Sequence, residues 1–218
     1  MNETELRSAL AATARQTVSQ GLNKGASGNV SVRLGEGFLI TPSGLPNDTL
    51  QPDQMVVVDM AGRSSGSLKP SSEWRIHRDI YHARPEVDAV VHAHSLHAVS
   101  LACLRRDIPA FHYMVAAAGG KDIRCADYVT FGTQALSDAV LVALQDRRAC
   151  LMANHGLVAV GASLDATLSL AVEVEELCAQ YWRATLMGEP VLLNDSEMDE
   201  VLESFKHYGQ RGDDQHGA

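Results

Sequence analysis

The spacing of apolar and polar positions divides the chain into short helices and strands. Leu6, Leu10, Ala14 and Val18 recur at steps of four behind Asn2 and Glu5 and ahead of Gly21. That pattern predicts an amphipathic helix with a capping box at its start and a glycine stop. Val30 to Leu34 and Phe38 to Ile40 are β-prone runs around Gly35-Glu36-Gly37, which reads as a hairpin, and Met55 to Met60 reads as a third strand. A Gly/Ser-rich loop then leads to Ser71-Ser72, good capping residues for a helix over about Glu73 to Arg84, stopped by Pro85. Val87 to His94 alternates as a strand, Leu96 to Arg106 reads as a helix, and Tyr128 to Phe131 as a weak strand. Thr133 heads a helix to Leu144. Ala149 to Ala153 and Leu157 to Val160 flank the turn Asn154-His155-Gly156, Ser163 heads a long helix to Met187, and a last helix from Asn194 or Ser196 stops near Gly209. The short strand-to-strand connections favour a largely antiparallel sheet sandwiched by helices over a doubly wound parallel sheet. No linker divides residues 1–210, so one domain is expected there, followed by a polar tail at 211–218.

Composition narrows the function. The chain has 218 residues, 45% hydrophobic against 21% charged, enough to bury a core rather than remain disordered. Eighteen Lys and Arg against 27 Asp and Glu leave a net charge of −9, so no basic field is present for nucleic acid or an anionic membrane. An anionic ligand must then be caught by a local pocket. Apolar runs break before the roughly 18 residues of a membrane span. The N-terminus is acidic where a secretory signal is basic, so a soluble, cytoplasmic protein is expected. Cys103, Cys125, Cys150 and Cys178 lie far apart without a C-x-x-C pair and read as reduced, buried apolar residues.

The candidate chemistry lies in histidines. In His92-Ala93-His94 the period of a strand puts both imidazoles on one face, and His155 sits in a glycine-assisted turn at the end of another strand. Three neutral imidazoles with a fourth position open make the pattern of a catalytic zinc ion, since a structural site is closed by four protein ligands. His92 alone would read as a buried strand histidine; the pair and the third ring carry the metal reading. A cupin would need a Glu three or four residues after the pair, where this chain has His97 and Ala98, and it would be less helical. His77, His82, His97, His112, His207 and His216 read as surface or supporting residues. Glu73, in the first turn of a helix, reads by itself as an acid favoured by the helix dipole. A nearby cation would lower its pKa and burial would raise it.

Three segments share small residues, hydroxyls and free backbone N–H groups: Ala26-Ser27-Gly28-Asn29, Thr41-Pro42-Ser43-Gly44 and Pro70-Ser71-Ser72. Each alone reads as an ordinary turn or cap; together they can converge as an anion nest, the last at a helix N-terminus. No Walker lysine or G-x-G-x-x-G occurs, which argues against nucleotides.

Gly28-Asn29-x-Ser31, Thr41-Pro42-Ser43-Gly44, Ser71-Ser72-Glu73, His92-x-His94 and Asn154-His155-Gly156, in this order, resemble the zinc-dependent class II aldolase/adducin-head family. The resemblance spans about residues 5 to 210 and takes in His112-Tyr113-Met114, Ala116 to Gly120, Tyr128-x-x-Phe131-Gly132-Thr133 and Phe205-Lys206-x-Tyr208-Gly209. It implies a three-layer α/β/α sandwich on a mainly antiparallel sheet, and a homotetramer of cyclic fourfold symmetry with active sites at subunit interfaces. It implies that His92, His94 and His155 bind Zn2+, with Mn2+ or Co2+ as substitutes. Glu73 would be the acid/base, and a fourth ligand when substrate is absent. Gly28, Asn29, Ser43, Gly44, Ser71 and Ser72 would hold a phosphate, Tyr113 would reach in from a neighbouring subunit, and Tyr208 would cover the site.

The activity implied is aldol cleavage of a deoxy-ketose 1-phosphate, nominally L-fuculose 1-phosphate, to dihydroxyacetone phosphate and an aldehyde such as L-lactaldehyde. The family's variation in the aldehyde pocket makes 5-deoxyribulose and 5-methylthioribulose 1-phosphate the alternatives. Pentulose-phosphate 4-epimerases of the family add an acidic residue where this chain has Ala116 to Gly120. A sugar-acid phosphate decarboxylase would share the same charge development. A non-catalytic adducin-like module is expected to lose metal ligands that are all present here, and a zinc hydrolase would leave the phosphate loops without a purpose.

Overall fold

The computed structural model describes residues 1–207; Tyr208 and the tail at 211–218 lie outside the described residues. Among the described residues, β1 (Asn29–Leu34), β2 (Gly37–Ile40), β3 (Val56–Asp59), β4 (Ala89–Ala93), β5 (Cys125–Ala126), β6 (Ala149–Met152) and β7 (Gly156–Gly161) form one sheet in the order β3-β2-β1-β4-β7-β6-β5. Every pairing is antiparallel except β5 with β6. Six helices cover it: α1 (Glu3–Ser19), α2 (Trp74–Ala83), α3 (Leu96–Ala102), α4 (Gln134–Ala143), α5 (Leu164–Met187) and α6 (Asp195–His207).

The layers follow from the alternation of side chains along the strands. On β4, Ala89, Val91 and Ala93 enter a core with Leu10 and Ala14 of α1, Ala98 and Leu101 of α3, and Leu168 and Val174 of α5. Val90 faces the other way, into a core with Ile76 and Ile80 of α2 and Leu136 and Val140 of α4. Two cores on opposite faces of one sheet make the expected three-layer sandwich. Local signals start the helices. Asn2 accepts from the Glu5 amide and Glu5 from the Asn2 amide, while Thr133 and Ser163 accept from Leu136 and Ala166. Such caps are typically worth about 1 kcal/mol each.

Three expectations are corrected. Tyr128 to Phe131 is not a strand; the sheet edge is Cys125–Ala126, and Tyr128 and Phe131 are exposed. Their β-prone composition is overridden because the chain leaves the sheet there and turns at Gly132, whose φ is +73°. The helix predicted to Arg106 ends at Ala102, as Arg105 takes a left-handed φ of 53°. Cys150 and Cys178 are buried, but Cys103 is exposed and Cys125 half-buried. A short 3-10 helix, Tyr113–Ala118, lies in a stretch without a sequence assignment. No helix among the described residues is long and apolar enough to cross a membrane.

The end of β4 and the start of β7 lie against each other, with Ala93 opposite Leu157. There, a Cβ on Gly156 would fall 2.3 Å from the Ala93 carbonyl oxygen and 3.2 Å from the His94 ring. Because the obstacle is backbone, Gly156→Ala is expected to cost about 1–3 kcal/mol. Denaturant unfolding measures it, and a loss below about 0.5 kcal/mol, the scale of an ordinary surface change, would contradict this account of the β4–β7 contact.

Candidate metal centre and anion cradle

Register brings the site together. Asn29 on β1 lies directly opposite His92 on β4, so both point to the face covered by α2. His94 follows the last residue of β4, and His155 occupies the turn that precedes β7, the neighbouring strand. Left-handed Asn154, with φ of 55°, tightens that turn. Glu73 stands at the N-cap position of α2 but makes no capping bond. Its carboxylate turns inward and is 6% exposed, so the helix-dipole reading of this residue gives way to one at the centre of a cluster.

One ligand atom from each of Glu73, His92, His94 and His155 lies within 4.8 Å of all the others. His92 Nε2 is 2.9 Å from His94 Nε2 and 3.2 Å from Glu73 Oε2, and His155 Nε2 is 3.2 Å from Glu73 Oε1. The three rings stand edge to face, with centroids 4.8–4.9 Å apart. Tetrahedral ligands of zinc sit roughly 3.3 Å from one another, the scale seen here.

The donor set fits a divalent cation. The Leu157 carbonyl, 2.8 Å from His92 Nδ1, can only accept, so Nδ1 carries a proton and Nε2 faces the cluster. Burial, with His92 and His155 beside it, pushes the His94 pKa down to about 3, which keeps that ring neutral. Glu73 Oε1 is buried and accepts no hydrogen bond. Such an orphaned carboxylate oxygen among imidazole nitrogens is the signature of a missing positive charge. Without a cation, protons substitute. Burial opposes charge on His92, but Glu73 outweighs it and raises the His92 pKa. Burial would likewise raise the Glu73 pKa, and the neighbouring His92 and His155 imidazoles lower it well below the usual carboxylate range.

Beside the cluster opens a cavity of about 410 Å3 lined by Gly28, Asn29, Ser43, Gly44, Ser71 and Ser72, with Glu73, His94 and His155 at one end. The three loops are tied to one another: Ser43 N donates to Lys69 O at 2.9 Å, Ser71 N to Thr41 O at 3.1 Å, and Asn47 Nδ2 to Ser27 O at 2.8 Å. Gly28 has φ of +72°, and a Cβ there would collide with the Asn23 side chain at 2.3 Å. Among the described residues no Lys or Arg lines the cavity, so an anion inside it meets hydroxyls and N–H groups.

Several residues here have no site role legible in the sequence. Tyr128, Val129 and Phe131 form part of the cavity wall. Glu175 of α5 accepts from Ser95 Oγ, His97 Nδ1 and the His97 and Ala98 amides at 2.6–2.9 Å, capping α3 just beyond His94. Asn23 Oδ1 accepts from the His94 amide at 2.9 Å. These partners lie 71 to 80 residues away in sequence, beyond the reach of local pattern. Tyr113 is not brought to this cavity; it is 51% exposed and lines a separate one with residues of α6. Tyr208 lies outside the described residues.

A family model described as Class II Aldolase and Adducin N-terminal domain matches residues 8–182. The chain belongs to this family. It is 55% identical over 204 residues to a 5-methylthioribulose-1-phosphate/5-deoxyribulose-1-phosphate aldolase of Rhodospirillum rubrum, covering 94% of this chain and 92% of that one. It is 45% identical over 212 residues to the L-fuculose phosphate aldolase of Escherichia coli K12, covering 97% and 99%. A solved L-fuculose 1-phosphate aldolase superposes with a TM-score of 0.89 at 40% identity, covering 93% of this chain and 96% of that one.

Replacing His155 by Ala should abolish stoichiometric metal binding while the fold survives, since His155 lies at the sheet's end; metal analysis with circular dichroism decides, and full metal content in the variant contradicts the cluster. Metal uptake by the stripped protein should also release protons and strengthen as pH rises through the raised His92 pKa, because cation and proton compete for Nε2. Calorimetry in buffers of different ionisation enthalpy counts those protons, and a count of zero would oppose this view.

Proposed function

We propose that this protein is a zinc-dependent aldolase of the cytoplasm that cleaves a deoxy-ketose 1-phosphate to dihydroxyacetone phosphate and an aldehyde. The observation that supports it is the placement of one buried carboxylate, Glu73, between a cluster of three imidazoles and a cation-free cradle of hydroxyl and N–H groups. A hydrolase needs the metal and base but not the cradle, and an adducin-like module needs neither. Among substrates, the relative of highest identity quoted above favours 5-methylthioribulose or 5-deoxyribulose 1-phosphate over L-fuculose 1-phosphate. These differ in the aldehyde half and share the phosphate end.

In this reading His92, His94 and His155 hold the zinc ion, with Glu73 as a fourth ligand when substrate is absent. Zinc bound there supplies Lewis acidity to the carbonyl and neighbouring hydroxyl oxygens of the ketose. Gly28, Asn29, Ser43, Gly44, Ser71 and Ser72 seat the phosphate, with the start of α2 adding its dipole. That seating fixes the distance from phosphate to carbonyl and so aims carbons 3 and 4 at Glu73. When the C3–C4 bond breaks, the carbon-4 hydroxyl gives up its proton as it becomes the aldehyde, the bond's electron pair stays on carbon 3 of the phosphate-bearing fragment, and Glu73, having taken up a proton, delivers it to carbon 3, so that one proton moves in net from the carbon-4 hydroxyl to carbon 3; the condensation direction reverses these transfers. Tyr113 is exposed and remote from its own chain's cavity, which fits a hydroxyl offered to the aldehyde oxygen of a neighbouring copy in a homotetramer. We assign Tyr208 the cover of the site on the resemblance alone.

The test is a panel of ketose 1-phosphates with dihydroxyacetone phosphate release as the readout; turnover of none of them, by a metal-loaded protein, would remove the aldolase reading. Glu73→Gln is expected to keep its metal, lower kcat by about 10²–10⁴-fold and suppress exchange of the carbon-bound proton of dihydroxyacetone phosphate. Wild-type exchange in that variant would take Glu73 out of the proton transfer.

A further inference from the structure

We propose that His77, which lines neither the cavity nor the four-donor cluster, is a positioning residue that sets which end of the Asn29 amide faces Glu73 and a bound anion. His77 lies on α2 one turn beyond Glu73 and is wholly buried. Its Nδ1 is 2.6 Å from Ser31 Oγ, which is 2.7 Å from the Tyr81 hydroxyl. Its Nε2 is 2.5 Å from Asn29 Oδ1, and Asn29 Nδ2 donates to Glu73 Oε2 at 3.0 Å. All five side chains are nine-tenths or more buried, and Tyr81, Ser31 and His77 do not line the cavity.

Donor and acceptor identities propagate outward from the carboxylate. Asn29 Nδ2 donates to Glu73 Oε2, so Oδ1 is left facing His77. His77 Nε2 must then carry a proton. Burial, with His92 nearby, pushes the His77 pKa down to about 3, so the ring holds only that one proton and Nδ1 accepts. Ser31 consequently donates to Nδ1 and Tyr81 donates to Ser31. The row runs one way, Tyr81 to Ser31 to His77 to Asn29 to Glu73, each bond polarising the next. It is not a proton wire, because the amide at its centre cannot hand a proton on. Its effect is to exclude the reversed amide, which would set Oδ1 against the carboxylate and an NH2 group against the imidazole N–H. Asn29 also lines the cavity, so its second N–H is the donor an anion there meets. A flipped amide would offer that anion an oxygen instead.

The nature of the anion rests on the aldolase reading, whereas the orientation of the row does not, and the experiment separates the two. Ring-nitrogen NMR shifts of His77 in the wild-type, metal-loaded protein at neutral pH are expected to show a neutral ring protonated at Nε2. A proton at Nδ1, or on both nitrogens, overturns the proposal without any substrate being involved. With inorganic phosphate as the probe, His77→Leu should weaken binding about tenfold, the scale of a lost buried hydrogen-bond partner. His77→Gln can keep a donor toward Asn29 and an acceptor toward Ser31, and it should stay within about threefold of wild type. Adding His77→Leu to Asn29→Ala should cost less than about twofold more than Asn29→Ala alone, because the effect passes through that amide. Additive losses, or a Gln variant as weak as Leu, would mean that His77 only supports the fold. Absence of ketose cleavage by the wild type would remove the aldolase reading and leave the tautomer result standing.

Discussion

Three imidazoles and a carboxylate crowd their lone pairs into one small volume, and in the absence of a positive charge that arrangement repels itself. Everything nearby is organised to hold it. Leu157 takes the rear proton of His92, Asn23 pins the backbone of His94, and Asn29 grips one oxygen of Glu73 while the other lies 3.2 Å from His155 Nε2. Three of the four donors are held in this way from different parts of the chain, and each would break a hydrogen bond, at about 1–3 kcal/mol apiece, by relaxing away. The protein thereby stores a demand for a cation in its folded state.

The same economy of charge governs the cavity. A chain of net charge −9 gains nothing from long-range attraction of an anionic ligand, and among the described residues no Lys or Arg lines the cavity to compensate. Affinity must come from short-range donors aimed at one point, which is geometrically demanding and therefore selective. The loops that supply them are cross-tied through Pro42 and Pro70 and through Asn47, so the donors are placed before any ligand arrives. In the proposed function, position does here what a lysine does elsewhere.

The two layers of helices divide the labour. The α2 and α4 face carries the chemistry: Asn29 and Ser31 of β1, His92 of β4 and Glu73 and His77 of α2 all turn toward it. The opposite face, with α1, α3 and α5, is packed mostly with Leu, Val and Ala. Within that layer Glu175 of α5 caps α3, so the buttressing of the segment after His94 comes from the side opposite the imidazole cluster.

What the sequence determined unaided was whatever depends on near neighbours. The caps at Asn2, Thr133 and Ser163, the hairpin between β1 and β2, and the pairing of His92 with His94 on one face follow from periods of 3.6 and 2 along the chain. The layered fold and the four-donor set were legible through motifs whose residue types are unusual in such places. The tertiary structure alone decided that Glu73 turns inward instead of serving a helix dipole, and that Tyr128 and Phe131 wall a cavity instead of extending the sheet. It decided too that His77 aligns an amide and that Glu175 of α5 caps the neighbouring helix α3. Hydrogen-bond partners 44 to 80 residues apart, and the protonation states that burial imposes on them, exist only once register and packing bring the elements together.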